Sequence, residues 1–130
     1  MKKTALLNAA ISQVIATMGH GDTLVIGDVG LPAPAGVPVI DLAVTRGVPD
    51  FMTVLTTVLT ELQVEFHIVA DEMQSVSPVL AAQIAALDLP QARSMSHEAF
   101  KQATARAKAY IRTGECTPYA NIILGAGVVF

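Results

Sequence analysis

The 130-residue chain has no tryptophan and a single cysteine, Cys116, and aromatic residues make up only 5% of it. One cysteine can neither staple the fold nor build a zinc site, and its solitude fits a reducing cytoplasm. It is expected to be a small half-buried filler rather than a nucleophile. Charge is scarce too: Asp, Glu, Lys and Arg together reach 15%, against about a quarter in ordinary soluble domains. The eight Lys and Arg residues are scattered, with only Lys2 and Lys3 adjacent, and the formal net charge is −3. Nucleic-acid binders concentrate basic surface, so that class is excluded. Long apolar runs are missing as well. The longest comparable stretch, Ile122 to Phe130 with its glycines, falls far short of the roughly 18 residues of a membrane span. No signal peptide is expected, because Asn8, Ser12 and Gln13 interrupt the apolar residues that follow the two lysines.

Apolar residues are what the chain has in excess, at 52%, above the usual soluble range. Without a membrane to face, that surplus predicts an oligomer in which copies hide apolar surface against one another. The length suits one domain over residues 1–130 with a sizeable core.

Periodicity gives the expected elements. Asn8 is an N-cap for a helix with Ile11, Val14, Ile15 and Met18 inward, ending at Gly19. Thr23 to Ile26 and Val39 to Leu42 read as short strands separated by a Pro- and Gly-rich loop. Asp50 caps a second helix whose stripe is Phe51, Val54, Leu55, Val58, Leu59 and Leu62. Glu65 to Ala70 reads as a strand, and Ser77 caps a helix that starts at Pro78. A weak strand from Ala92 to Met95 leads to the cap Ser96. The helix after it is expected to carry Phe100, Ala103, Ala107, Tyr110 and Ile111 inward and to stop at Gly114, before a last strand over 121–124. Helices alternating with short apolar strands predict a compact α/β domain, its short-stranded sheet sandwiched between helices.

Only three histidines occur. His20 lies between glycines just past the first helix, where an imidazole can transfer protons near neutrality or simply complement the helix dipole. Asp28 follows the first strand; it either caps a turn or meets a ligand at the carboxyl end of the sheet. His97 starts a helix, whose positive end favours a neutral imidazole, though an exposed helix-start residue would look the same. His67, inside an apolar strand, reads as structural. Tyr119 and Asn121 are two apart as the chain enters a strand, so their hydroxyl and amide are expected on one face, suited to ligand hydroxyls.

Other chemistries find no support. No two histidines stand at metal-ligand spacing. The Gly27-to-Gly30 segment lacks the third glycine of a dinucleotide fingerprint, and nothing matches a P-loop or a nucleophile elbow. Acid–base chemistry on a small polyhydroxylated ligand remains, without metal or cofactor.

The segments Met18 to Asp22 (Met-Gly-His-Gly-Asp), Gly27 to Pro32, Ile40 to Ala43 with Gly47 to Pro49, Ser96 to Lys101 (Ser-His-Glu-Ala-Phe-Lys) and Gly114 to Asn121 (Gly-Glu-Cys-Thr-Pro-Tyr-Ala-Asn) run in order from end to end. Together they resemble the D-ribose pyranase family, which shares its fold with the L-fucose mutarotases. The resemblance implies an isomerase that interconverts the β-pyranose and β-furanose forms of D-ribose, supplying furanose for phosphorylation, in the cytoplasm. It implies His20 as the catalytic acid and Asp28, His97, Tyr119, Ala120 and Asn121 as sugar-binding positions, with Lys101 added more loosely one helical turn after His97. It further implies a ring-shaped homo-oligomer, commonly a decamer, with sites shared between neighbours. Two other readings stay open: a mutarotase of the same fold acting on fucose or another hexose, and a non-catalytic sugar-binding accessory of uptake.

Overall fold

Asn8, Asp50 and Ser96 each turn a side-chain oxygen onto the amide three residues ahead, and each opens a helix. In the computed structural model, which describes every residue from Met1 to Phe130, the elements run α1 (Ala9–Thr17), β1 (Thr23–Gly27), β2 (Val39–Asp41), α2 (Phe51–Leu59), β3 (Val64–Ala70), α3 (Glu72–Val76), α4 (Pro78–Ala85), β4 (Ala92–Met95), α5 (His97–Ala103), a 3-10 turn (Thr104–Arg106), β5 (Ala109–Arg112) and β6 (Ile122–Ala126). The strands form a six-stranded sheet in the order β2-β5-β1-β6-β3-β4. Pairs β2–β5, β5–β1 and β3–β4 are parallel, while β6 runs antiparallel to both its neighbours.

Both faces of the sheet are covered. Successive side chains point to opposite faces, so Leu24 and Ile26 join the larger cluster with Ile11, Phe51, Leu55 and Ile84, from α1, α2 and α4. Val25 faces the other way, into a smaller cluster with Phe100 of α5, Tyr110 and Ile123. The expected sheet between helices is present, with most of the helices on one side.

Four local expectations need correction. The helix from Ser96 does not reach Gly114: α5 ends at Ala103 and the chain returns as β5, in the middle of the sheet. Ala109, Tyr110 and Ile111 are all fully buried. A one-faced helix cannot bury three consecutive residues, but a central strand covered on both sides does. Ser77 does not cap α4; its hydroxyl donates instead to the Pro118 carbonyl (2.6 Å), while Pro78 does start the helix. The short helix α3 was not expected, because five residues are too few to show a period. Finally, α1 stops at Thr17, with Met18 already extended, and Ile11 alone of its stripe is fully buried.

Candidate active site

Where β1 ends at Gly27, the chain turns sharply and Asp28 closes the turn by accepting the Gly30 amide on Oδ1 (2.9 Å). Beneath it, the Tyr110 hydroxyl donates toward the carbonyls of Leu31 (3.1 Å) and Asp28 (3.2 Å). Burial, helped by the Asp28 charge, pushes the Tyr110 phenol up to about 12, so it stays a neutral anchor for the turn. Asn121, at the start of β6 and only 1% exposed, clamps Asp28 from across the sheet. Its Oδ1 accepts the Asp28 amide (2.8 Å) and its Nδ2 donates to Asp28 Oδ2 (3.0 Å). The carboxylate is thereby held in one orientation, with lone pairs left over for ligand hydroxyls.

The segment leading to Asn121 is built around Glu115. Burial pushes its carboxyl up, but the Phe51 amide, the Thr117 hydroxyl and the Thr117 and Cys116 amides outweigh that and hold it below the ordinary value of 4.5. Glu115 thus joins the start of α2 to the turn that carries Tyr119. Tyr119 adopts a left-handed backbone (φ 61°), so it does not share a strand face with Asn121 as expected; the intervening Ala120 is fully buried. The Tyr119 ring instead meets the His97 ring edge-on, with centroids 5.1 Å apart. His97 opens α5, its amide donating to the Glu72 carboxylate (2.9 and 3.2 Å). Its Nδ1 is the one buried side-chain polar atom without a hydrogen-bond partner. Lys101 stands one turn further on, and its ammonium pairs with Glu98 (2.6 Å).

Asp28, His97, Tyr119, Ala120 and Asn121 therefore gather where β1, β3, β4 and β5 end and β6 begins. His20 does not join them. It precedes β1, at the opposite edge of the sheet, with its side chain 59% exposed and Nε2 2.8 Å from Glu65 Oε2. A strand rises about 3.3 Å per residue, so β1 alone holds His20 and Asp28 more than about 13 Å apart. Within one chain Asp28 therefore cannot stand beside His20, because the two flank one strand at its two ends. Cys116 is exposed rather than half-buried. His67 is buried in β3 with Nδ1 against the Pro90 carbonyl (3.0 Å), a structural arrangement. A cleft of about 500 Å³ beside His67, between β4 and α3–α4, is lined by none of the candidate residues.

Three residues at these positions escaped the sequence reading. Glu72 lies on the unexpected helix α3, Glu65 on a strand read by its apolar residues, and Tyr110 on a strand expected to be helical. Glu72, the first residue of α3, and Glu65, the second of β3, carry no motif of their own; only the fold reveals their histidine partners.

The model of the RbsD / FucU transport protein family matches residues 1–129. A D-ribose pyranase of Pseudomonas syringae pv. syringae (strain B728a) is 57% identical over the whole of both chains, and one of Pseudomonas putida (strain GB-1) is 58% identical, again over both full lengths. The structure of Bacillus subtilis RbsD complexed with D-ribose superposes with a TM-score of 0.97 at 44% identity, covering 100% of each chain. With the match running the full length in sequence and in fold, the chain belongs to the RbsD / FucU transport protein family.

Proposed function

We propose that this chain is an isomerase interconverting the β-pyranose and β-furanose forms of D-ribose. The observation that carries the reading is full-length identity above half to D-ribose pyranases, joined to a site edge rich in hydroxyl-binding groups. Ring opening needs a proton to leave the anomeric hydroxyl while another reaches the ring oxygen. Rotation in the open aldehyde then lets a different hydroxyl close the ring. His20 is the proton-transfer group in this reading. Asp28, Asn121, Tyr119, His97 and the Ala120 backbone hold the sugar, with Lys101 at the margin. Neither metal nor cofactor is part of the mechanism.

Because His20 and Asp28 stand at opposite ends of β1, a working site unites His20 of one copy with Asp28 of a second. A head-to-tail contact whose rotation closes generates a ring, which we read as a decamer. Exposed Val39, Val44 and Val128 provide apolar surface for contacts of this kind. The enzyme acts in the cytoplasm, supplying furanose for phosphorylation; its unpaired thiol suits that setting. No helix is long and apolar enough to cross a membrane.

NMR exchange between the pyranose and furanose signals of ribose tests the activity, with L-fucose as the comparison sugar. Acceleration of ribose exchange that His20→Ala lowers by about 10²-fold or more is expected; saturable binding without acceleration would show an accessory protein instead. Shared sites have their own signature. His20→Ala and Asp28→Asn are each inactive alone, yet mixed oligomers of the two regain activity, since some interfaces then pair an intact His20 with an intact Asp28. Light scattering shows an oligomer at micromolar concentration; a monomer with full activity would sink the shared-site reading.

A further inference from the structure

His20 is held by a carboxylate that the sheet delivers from two strands away. β6 lies between β1 and β3, and Glu65 of β3 reaches past its end to place Oε2 2.8 Å from His20 Nε2. Two features of the backbone make this reach possible. First, β3 carries a bulge at this point: Val64 pairs with Ala126 and Phe66 with Gly125, so Glu65 is an extra residue without an opposite number on β6. A bulge re-aims the side chain it carries. Second, the chain leaving β6 passes the pair at Gly127, where an added Cβ would come within 3.1 Å of the Glu65 Cβ. On the other side, the Gly21 amide donates to the Ala126 carbonyl (2.8 Å), fixing the His20 turn to the same strand end.

The pair is half open to solvent, with side-chain exposures of 59% and 41%, and an exposed ion pair adds little to stability. A bulge, a close-approach glycine and a pinned turn converging on it are better explained by positioning. An ionised carboxylate only accepts hydrogen bonds, so Nε2 must be the protonated nitrogen. The neutral ring then presents Nδ1 as its free lone pair, and the protonated ring presents Nδ1–H.

We propose that Glu65 is the positioning residue of His20, fixing its ring orientation and its Nε2–H tautomer so that Nδ1 is the nitrogen that exchanges protons with the sugar. This rests on the reading of His20 as the proton-transfer group. Glu65 touches no sugar and acts only through the imidazole.

The test combines 15N spectra of the His20 ring with exchange kinetics on the assembled protein, its subunit number checked by light scattering. The wild type is expected to show the Nε2–H tautomer. Glu65→Ala mixes the tautomers and lowers kcat by about tenfold or more, with KM for ribose within about twofold. Glu65→Gln, whose amide oxygen still accepts from Nε2–H, restores the tautomer and most of kcat. Wild-type kcat and tautomer in Glu65→Ala would overturn the proposal, as would Glu65→Gln being as impaired as Glu65→Ala. A wild-type rate in His20→Ala would overturn the acid reading of His20 instead; an inactive His20→Ala beside a fully active Glu65→Ala overturns the role of Glu65 alone.

Discussion

Asp28 and Asn121 show what a single residue contributes at this site. The amide of Asn121 uses both ends on one partner, accepting from the Asp28 backbone and donating to its carboxylate. Asn121→Ala strands the Asp28 amide in a buried position, and is expected to cost about 1–3 kcal/mol, read from urea unfolding at fixed protomer concentration. Asn121→Asp keeps the acceptor but sets a second carboxylate against Asp28 Oδ2, where Nδ2 now sits at 3.0 Å. Its KM for ribose should rise and the Asp28 turn should loosen; an unchanged KM would show that this clamp does not serve sugar binding. Residue type was legible at this scale. A carboxylate between glycines, an amide near a tyrosine and a histidine after a capping serine all stand out in the chain. Their partners were not: Glu65 and Glu72 are ordinary acids until β3 and α3 bring them to His20 and His97.

Among the elements, caps were read correctly wherever the cap is local. Asn8, Asp50 and Ser96 bond within their own next turn, so nothing beyond that turn is needed to predict them. Ser77 failed because its hydroxyl was taken by Pro118, far along the chain. The start of α2 has a second, non-local tie in Glu115, whose Oε2 accepts the Phe51 amide. Its folded carboxyl lies below the ordinary 4.5 despite partial burial. A group depressed in the folded state stabilises the fold above its unfolded value and loses that contribution as pH falls through the folded value. Glu115→Gln should therefore lower stability by about 1–2 kcal/mol near neutral pH. In thermal unfolding, its Tm deficit against wild type should shrink as pH drops from about 6 to below about 4; a deficit constant with pH would separate Glu115's bonds from its charge. Element type was misread at β5 for a related reason. Tyr110 and Ile111 fit a helical period by spacing, yet their neighbours β1 and β2 come from distant sequence.

At the scale of the whole molecule, the sheet order decides what meets. β6 runs against the other strands and separates β1 from β3, and its small residues set how close neighbours lie. An added Cβ at Gly125 would stand 2.1 Å from the Phe66 ring. Gly125→Ala is expected to destabilise by about 1–3 kcal/mol, and Phe66→Ala in the same chain to recover most of that loss; additive effects in the double-mutant cycle would argue against direct contact. The apolar surplus and scarce charge, visible in composition alone, support the proposed association between copies. By itself the sequence determined the starts of α1, α2, α4 and α5, five of the six strands, the candidates for the site's polar residues and the family resemblance, because caps, periodicity and motifs are written in neighbouring residues. Only the tertiary structure decided that β5 is a central strand, that Glu65 holds His20, and that His20 and Asp28 face opposite ends of β1. Those facts follow from strand pairings between remote segments, whose energy comes from packing on both faces of the sheet rather than from any local pattern.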